Sequence, residues 1–499
     1  MRELELKLSV DDPFVTSAAL RPDGVEIAGM EELPPLDLRA TYYDTPDLRL
    51  ARHGVTLRYR TGEDDQSGWH LKLPVHDGDG ATREELHFEG QAGSVPLAAR
   101  DLVTAYVRAS EVSPVARLRT RRRRWCLRAA DGSDLAELVD DRVSVIKHGQ
   151  VVERFRELEL EARALDRPAL DRIAAMLQDA GASAPQPVPK VVRALGSKAT
   201  LPPDVVGPSR LSPREPAAYA VQAAIARGVQ RIVENDPGAR LGEVEPVHQM
   251  RVGARRLRSD LRTLAPLVEK EWSDGLRSEL QWLGRALGEV RDLDVMEELL
   301  RAGSRDLGAI EPLFEHIDEQ HLVARASLLN ALRSERYVEL LERLVGAAAG
   351  PSLTAAAWEP AGEALPPLTA NAWRKLVKKA RALRPEDPDE DFHRVRILAK
   401  RTRYAAEAVA PALGKRGKTA SLFARRAAGV QGVLGALQDS VVARELIEEA
   451  AGARPGDGAF GLAAGRLLER QQRAAGEARP KYRKAWRKLD RRKLRKWMQ

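Results

Sequence analysis

The chain has 499 residues, about three times the length of an ordinary single domain, so we expect two or three domains with separate cores. Hydrophobic residues make up 43% and charged residues 31%, which excludes a fibrous protein and a chain disordered throughout. The single cysteine, Cys126, excludes an intramolecular disulfide and a zinc site built from several thiolates. We find neither an apolar run of membrane-spanning length nor a secretion signal, so we expect a cytoplasmic protein.

The formal net charge of +8 comes from one short segment. Residues 481–499 contain ten Lys or Arg residues and one acid, Asp490, so this segment carries +9 and the rest of the chain carries −1. The net charge therefore says little about function, and basic sites must be sought in local patterns.

The first two hundred residues contain short runs in which charged and apolar side chains alternate, as in β-strands. The first run places Glu3, Glu5 and Lys7 on one face and leucines on the other, and residues 157–161 give a face of three carboxylates. Further charged faces contain Arg58, Arg60, Lys72, Arg83, Glu85 and the basic run 119–124, whose inward-facing members the sequence does not identify.

An antiparallel sheet with one solvated face is the simplest interpretation of such strands. The separation of the charges by sign favours a closed barrel with the charged faces inward instead, because a surface usually mixes the two signs. Inside a barrel, arginine and lysine can hold phosphate oxygens, and glutamates can ligate Mg²⁺ or Mn²⁺.

These runs, in this order and at this spacing, resemble the CYTH domain, the family of triphosphate tunnel metalloenzymes. The resemblance covers nearly all of residues 1–200, including the segment 42–45 and the late Lys190. It implies an α+β fold, an eight-stranded antiparallel tunnel with flanking helices, that hydrolyses the terminal phosphate of a triphosphate. Inorganic triphosphate is the expected substrate, and thiamine triphosphatase and adenylate cyclase activities are the alternatives.

The resemblance also implies roles for individual residues. The expected catalytic residues are Glu3, Glu5, Lys7, Arg58, Arg60, Lys72 and Glu159. The residues expected to hold substrate phosphates are Lys7, Arg58, Arg60, Lys72, Arg83, Arg122, Arg124 and Lys190. The expected ligands of Mg²⁺ or Mn²⁺ are Glu3, Glu5, Asp140, Glu157, Glu159 and Glu161, and the sequence does not decide between Asp140 and Asp141.

A proline-rich stretch separates these strands from a helical region, so we expect a tunnel domain at 1–200, a linker at 201–211 and a helical domain at 212–499. The pattern that begins at His248 recurs 145 positions later at His393, and the segment 287–292 recurs 147 positions later at 434–439. Two matched segments in the same order predict two helical repeats, at about 212–349 and 368–499.

In each repeat a histidine leads a row of cations at helical spacing. The two rows are His248, Arg251, Arg255 and Arg258, and His393, Arg396, Lys400 and Arg403. A solvated helix face is the usual interpretation of one such row. Two matched rows without an interleaved acid favour a site for an anion, because stacked like charges repel.

The duplicated rows resemble the CHAD domain, the conserved histidine α-helical domain, over roughly residues 212–499. The resemblance implies two pseudo-symmetric helical bundles that bind inorganic polyphosphate without cleaving it. Further basic residues with a less specific pattern extend this surface: Lys375, Lys378, Lys379, Arg425 and Arg426.

The sequence thus predicts a metal-dependent triphosphatase tunnel joined to a polyphosphate-binding domain, in a cytoplasmic protein associated with polyphosphate granules. One alternative is a granule-targeting protein that binds polyphosphate and has a weakly catalytic or inactive tunnel. Nucleic-acid binding is less favoured, because aromatic residues for base stacking make up only 5% of the chain and no nucleic-acid module is recognisable.

Overall fold

A computed structural model describes residues 2–16, 27–62, 67–74, 83–184, 188–208, 210–384 and 386–499, with the backbone alone for residues 2, 3 and 478. The chain divides into two compact units, Met1–Asp204 and Val205–Gln499. Within the described ranges, no helix has both the length and the hydropathy needed to cross a bilayer.

The described part of the first unit contains one antiparallel sheet and five α-helices. Its strands are β1 (Arg2–Glu3), β2 (Glu5–Ser9), β3 (Gly29–Asp44), β4 (Thr56–Thr61), β5 (Gly68–Pro74), β6 (Arg83–Phe88), β7 (Ser113–Arg128), β8 (Asp134–Lys147) and β9 (Gln150–Ala162). Its helices are α1 (Arg49–Arg52), α2 (Leu97–Leu102), α3 (Thr104–Val107), α4 (Arg167–Asp179) and α5 (Lys190–Leu195).

The sheet closes on itself through its first strand. The strand order is β1-β6-β5-β4-β3-β7-β8-β9-β2. Only Leu4 separates β1 from β2, and the two segments pair on opposite sides, β1 with β6 and β2 with β9. Counted as one interrupted strand, they complete an eight-stranded antiparallel barrel, which confirms the predicted fold.

The outer face of one side of the barrel is covered by α4. This helix begins after Asp166, whose carboxylate accepts a hydrogen bond from the backbone N–H of Ala169. The apolar residues of α4 pack against the leucine faces of the strands, so the alternating charged residues of those strands face the interior. The main members of this core are Leu6, Leu8, Trp125, Leu127, Leu138, Leu158, Leu160, Leu170, Ile173 and Leu177.

Helix α5 closes one end of the barrel interior. Val191 and Ala194 of α5 pack against the inward-facing Leu118, Val143 and Val145. The barrel interior is therefore apolar around Val191 and Ala194, whereas Lys190 of the same helix reaches the charged side chains.

The described part of the second unit is built from ten α-helices. They are α6 (Ala217–Leu241), α7 (Val244–Thr263), α8 (Lys270–Ser304), α9 (Glu311–Arg333), α10 (Glu335–Ala349), α11 (Ala361–Ala364), α12 (Pro366–Ala382), α13 (Asp389–Val409), α14 (Lys415–Gly452) and α15 (Gly458–Leu489). Helices α7 and α8 contain the same two sequence patterns as α13 and α14, in the same order.

The two histidine-containing helices bury the sides opposite their cations. Met250, Ala254 and Leu257 of α7 are at most 1% exposed, and Val395 and Ala399 of α13 are equally buried. This burial follows the spacing of three and four residues that places the apolar side chains on one stripe of each helix.

A buried ion pair joins three helices of this unit. In α6, the Asp236 carboxylate accepts a hydrogen bond from Arg240 Nε at 2.7 Å and from the Tyr337 hydroxyl of α10 at 2.8 Å. Arg240 also donates to the Leu332 carbonyl of α9 at 2.7 Å. Asp236 and Tyr337 are 0% exposed, so this network depends on its internal partners.

We expect Asp236→Ala to lower the free energy of unfolding of this unit by about 3–5 kcal/mol, because Arg240 would be left buried without its carboxylate. The measurement is thermal or urea unfolding of the full chain. As a control, Glu279→Ala removes a carboxylate from the half-exposed Arg336 pair and should cost less than about 1 kcal/mol. Equal losses in the two variants would contradict the structural role of the Asp236 network.

Candidate functional site

The barrel encloses a charged cavity of about 520 Å³. Strand alternation aims its lining side chains inward from all the strands β2 to β9, and α5 contributes Lys190 and Val191. The residues of the predicted site that line it are Glu5, Lys7, Arg58, Arg60, Lys72, Arg83, Arg122, Arg124, Glu159, Glu161 and Lys190.

Strand register places opposite charges across from one another in this cavity. Lys7 of β2 lies opposite Glu159 of β9, and Lys72 of β5 lies opposite Glu85 of β6. Directly opposed residues on antiparallel strands point to the same face, so both pairs face the interior.

Glu159 is the centre of one ion-pair network. Its carboxylate contacts Lys7 Nζ, Lys190 Nζ at 2.7 Å and Arg122 Nη2 at 2.9 Å. Burial alone would raise the pKa of Glu159, but the positive charges of Lys190, Lys7 and Arg122 hold the pKa well below its ordinary value. Glu159 is therefore an anion held between three cations.

Lys190 extends this network to two further carboxylates. Its Nζ lies 2.9 Å from Asp141 and 2.9 Å from Glu157. Burial lowers the pKa of Lys190, but the charges of Asp141, Glu157 and Glu159 outweigh burial and raise the pKa well above its ordinary value. Asp141 also accepts two hydrogen bonds from Arg122, at 2.7 and 2.9 Å, in the paired geometry that a guanidinium makes with a carboxylate.

Glu85 of β6 is the centre of a second network. Its carboxylate lies 2.9 Å from Lys72 Nζ, 3.3 Å from Arg58 Nη2 and 2.9 Å from His70 Nδ1. Burial raises the pKa of Glu85, but these partners outweigh burial and lower it. Two of the predicted phosphate-holding cations are thus positioned by one carboxylate.

Two clusters of potential metal ligands face the cavity in the described residues. Glu5, Glu159 and Glu161 bring one carboxylate oxygen each within 4.8 Å of the others, and His70, Glu85 and His87 do the same with mixed ligand atoms. Mg²⁺ and Mn²⁺ prefer oxygen ligands, so the three-carboxylate cluster fits these ions.

In the second unit, cations from α7 and α13 form a concentrated positive region. Arg251 and Arg255 of α7 and Arg396 of α13 act together with Arg258 on Lys400. Burial and these charges lower the pKa of Lys400 to about 7. Lys400 is therefore partly neutral at neutral pH, although lysine is ordinarily charged there.

Cations that the sequence patterns did not single out enlarge this region. Burial and the charges of Arg277, Arg255, Arg285 and Arg401 lower the pKa of Arg258. Burial and the charge of Arg291 lower the pKa of His248. Three of these additional arginines, at 277, 285 and 291, belong to α8, the helix that follows the first row.

Comparison with protein families assigns both units. The family model of the CYTH domain matches residues 1–194, and the model of the CHAD domain matches residues 223–448. The chain is a CYTH–CHAD protein. The suspected fusion of these two families is therefore confirmed.

One full-length relative has the same extent. The uncharacterized protein MT2285 of Mycobacterium tuberculosis is 33% identical to this chain over an alignment 531 residues long. The alignment covers 98% of this chain and 97% of the relative. Among solved structures, PptA from Streptomyces chartreusis is 24% identical, covers 55% of this chain and 99% of its own, and has a TM-score of 0.45. The CHAD domain from the plant Ricinus communis is 26% identical, with coverages of 57% and 94% and a TM-score of 0.44.

Asp140 and Asp141 lie on opposite faces of β8 in the CYTH domain. Asp140 points outward, where it accepts hydrogen bonds from Arg156 at 2.7 and 2.9 Å and from the Thr16 hydroxyl at 2.7 Å. Asp141 points inward to Arg122 and Lys190. Asp140 was expected to be a metal ligand, but its side chain points away from the cavity. Its neighbour Asp141 points inward instead, because successive side chains along a strand point to opposite faces.

The remaining predicted residues of the CYTH domain differ in their positions. Glu157 is 2% exposed and pairs with Lys190 and Arg193. The side chain of Glu3 lies outside the described residues, and its backbone pairs with that of Arg83. The basic run splits by alternation, with Arg122 and Arg124 lining the cavity and the odd-numbered arginines on the outer face.

Several cavity residues were missed by the sequence analysis. His87, Glu137 and Tyr42 line the cavity, and His70 contacts it through Glu85. The sequence pattern could have identified two of them. His70 lies two residues from Lys72 and His87 lies four residues from Arg83, so strand alternation places each histidine on the same face as that cation.

Some cations of the CHAD rows pair with carboxylates that the spacing within the rows did not indicate. Arg251 pairs with Asp292 of α8 at 2.8 Å, and Arg403 pairs with Glu407, one turn further along α13, at 2.7 Å. His393 Nδ1 lies 2.5 Å from the Gln438 side-chain oxygen. The less specific Lys375, Lys378, Lys379, Arg425 and Arg426 are exposed on α12 and α14.

We expect an anion that binds the CHAD rows to carry a proton with it above pH 7. Lys400 has a pKa of about 7 in the free protein, so it is mostly neutral at pH 8, and an added negative charge would restore its ordinary protonation. Affinity for inorganic polyphosphate should therefore fall as the pH rises above 7. Below pH 7, Lys400 is already protonated and should contribute little to any change in affinity with pH.

Calorimetry at pH 8 in two buffers of different ionisation enthalpy measures the proton uptake. The matched variant Lys400→Arg keeps the charge and should abolish the part of the uptake that Lys400 contributes. Heats that do not depend on the buffer, or the same uptake in Lys400→Arg, would contradict the assignment.

Proposed function

We propose that the CYTH domain hydrolyses the terminal phosphate of inorganic triphosphate with Mg²⁺ or Mn²⁺. The observation that carries this proposal is the shared cavity, in which three carboxylates within 4.8 Å of one another face a set of buried cations. Carboxylate oxygens suit the metal ions and guanidinium and ammonium groups suit phosphate, so one closed cavity holds both partners of a metal-dependent phosphoryl transfer.

Glu5, Glu159 and Glu161 are the proposed metal ligands. When bound there, the ion supplies positive charge that neutralises phosphate oxygens. The carboxylates of this cluster can also orient a water molecule by accepting its hydrogen bonds.

The cations hold the substrate in this proposal. Lys7, Arg58, Lys72 and Arg122 are each paired with a carboxylate of the cavity. A phosphate oxygen that enters can accept the same hydrogen bonds, so these cations can pass from carboxylate to substrate without being left unpaired. Water then attacks the terminal phosphorus, the bond to the bridging oxygen breaks, and phosphate and diphosphate are the products.

The lining of the cavity supports a substrate without a base. Tyr42 and His87 are the aromatic side chains among the described lining residues. Tyr42 is only 3% exposed, so the half-exposed His87 is the one described lining ring with free surface. A nucleotide or thiamine group would gain little stacking on such walls. This favours inorganic triphosphate over ATP and thiamine triphosphate.

The CHAD domain is proposed to bind inorganic polyphosphate through its two rows. Burial, together with repulsion between neighbouring cations, lowers the pKa values of Lys400, Arg251 and Arg258. A linear anion between the rows would relieve this repulsion. The same chain would then bring a polyphosphate-binding domain together with a triphosphatase, in agreement with a cytoplasmic protein at polyphosphate granules.

Glu159→Gln should lower kcat/KM for tripolyphosphate by about a hundredfold or more, because it removes a metal ligand and the carboxylate that positions Lys7, Lys190 and Arg122. Phosphate release is measured with Mg²⁺ and with Mn²⁺. The control Glu153→Gln changes an exposed glutamate on the same strand and should retain activity. Failure of the wild-type chain to hydrolyse tripolyphosphate, ATP or thiamine triphosphate with either metal would refute the enzymatic function.

Arg255→Gln combined with Lys400→Gln should weaken binding of long-chain polyphosphate to the full chain by about tenfold or more, because two cations of facing rows are lost. The control pair Arg466→Gln and Arg473→Gln removes the same charge from exposed positions of α15. Competition with duplex DNA at fixed salt tests the partner class, and a preference for DNA would refute polyphosphate as the ligand.

A further inference from the structure

The outer face of β7 carries a row of arginines that the tunnel does not use. Arg122 and Arg124 face the cavity, so the alternate residues point away from it. Those outward residues, all exposed to solvent, are Arg117, Arg119, Arg121 and Arg123.

Neighbouring strands extend this row into a two-dimensional face. Arg39 of β3 lies directly opposite Arg119, and Arg142 of β8 lies directly opposite Arg121. One strand further, Arg154 of β9 lies opposite Ser144, which is itself opposite Arg119. We name the seven exposed arginines of this surface the outer arginine face: Arg39, Arg117, Arg119, Arg121, Arg123, Arg142 and Arg154.

Like charges that oppose each other across strands destabilise a sheet, so this arrangement needs an explanation. Three of the seven arginines pair with acids: Arg119 with Asp37, Arg123 with Glu32 and Arg142 with Asp12. The other four lie outside ion-pair distance of the described acids, although the charge of Asp37 also acts on two of them, Arg39 and Arg121. The remaining two are Arg117 and Arg154. The face thus has more cations than carboxylates.

A concavity on this face gives an anion a place to bind. It has a volume of about 390 Å³. Its charged lining consists of five arginines, at 121, 122, 123, 142 and 156, and two carboxylates, Asp37 and the buried Asp140. The charged side chains of this face therefore surround a depression in the sheet surface.

We propose that the outer arginine face binds a chain of inorganic polyphosphate. Adjacent strands space the arginines about 4.8 Å apart across the sheet, and alternate residues space them about 6.8 Å apart along it. A flexible chain with a negative charge on every phosphate can follow such a lattice, and each guanidinium can make two charge-assisted hydrogen bonds to phosphate oxygens. The site is separate from the tunnel and from the CHAD rows, and it requires neither of their proposed functions.

The same face is poorly suited to nucleic acid. The outward aromatic residues Tyr43 and Trp125 are 5% and 2% exposed, and the outward Tyr59 of β4 is partly buried against Trp69. The described rings near this face therefore offer little surface for base stacking. The surface is a sheet face without a protruding helix to enter a groove. Recognition on this face would rest on phosphate alone, which every residue of polyphosphate supplies.

The test measures affinity for long-chain inorganic polyphosphate in the full chain carrying Arg255→Gln and Lys400→Gln, so that the CHAD rows contribute less. In this background, neutralising the four arginines without ion pairs should weaken binding by about tenfold or more and reduce its dependence on salt. The substitutions are Arg39→Gln, Arg117→Gln, Arg121→Gln and Arg154→Gln.

A charge-matched control distinguishes an effect of the outer arginine face from an effect of the net charge of the protein. It neutralises four exposed arginines elsewhere and should leave affinity nearly unchanged: Arg172→Gln, Arg466→Gln, Arg473→Gln and Arg487→Gln. Thermal melting checks that both variants are folded. If the variant with four substitutions melts early, the double variant Arg117→Gln/Arg154→Gln replaces it. The affinity of this double variant for polyphosphate should fall by about threefold.

Three outcomes would overturn the proposal. They are unchanged affinity in the outer-face variant, equal loss in the control variant, and displacement of polyphosphate by duplex DNA at equal phosphate concentration. Hydrolysis of tripolyphosphate is measured on the same samples, so a failure of the tunnel or of the CHAD rows is distinguishable from a failure of the outer arginine face.

Discussion

The structure of the tunnel depends on the need to pair every charge that the closed barrel buries. An isolated carboxylate or ammonium group in such a place would cost several kcal/mol in lost hydration. Glu159 meets this constraint with Lys7, Lys190 and Arg122, and Glu85 meets it with Arg58 and Lys72. The site is stable without a ligand because its two signs neutralise each other. In the proposed function each sign exchanges its partner, the cations for phosphate and the carboxylates for a metal ion.

Strand alternation then decides what lies on each side of the wall. The register that aims Glu159 inward also aims Leu158 and Leu160 outward under α4, so the core and the site are fixed together. On β7 the same period separates Arg122, which contacts Glu159, from Arg121 on the outer face. A shift of one residue would bury the outer arginines and expose those that now line the cavity, so the hydrophobic core strongly selects this register.

The sequence predicted the barrel and most of its lining because charge alternation over two residues is a local signal. It could not choose between Asp140 and Asp141, since either fits a strand and only pairing with β7 and β9 shows which faces Lys190. His70 and Glu85 were not linked either, because their hydrogen bond depends on the register of two strands. Likewise, the acid opposite Arg251 comes from another helix, and no spacing along α7 reveals it.

The two domains manage concentrated charge in opposite ways, and this has a consequence for how each responds to an anion. In the tunnel, carboxylates raise the pKa of Lys190, so its charge is fixed and an entering phosphate must compete with bound acids. In the CHAD rows, burial and neighbouring cations lower the pKa of Lys400 to about 7, so the repulsion is partly relieved by loss of a proton. An anion at the rows restores that proton and gains attraction as it binds, whereas an anion in the tunnel exchanges one ion pair for another. Selectivity in the tunnel therefore depends on geometry, and affinity at the rows depends on charge and pH.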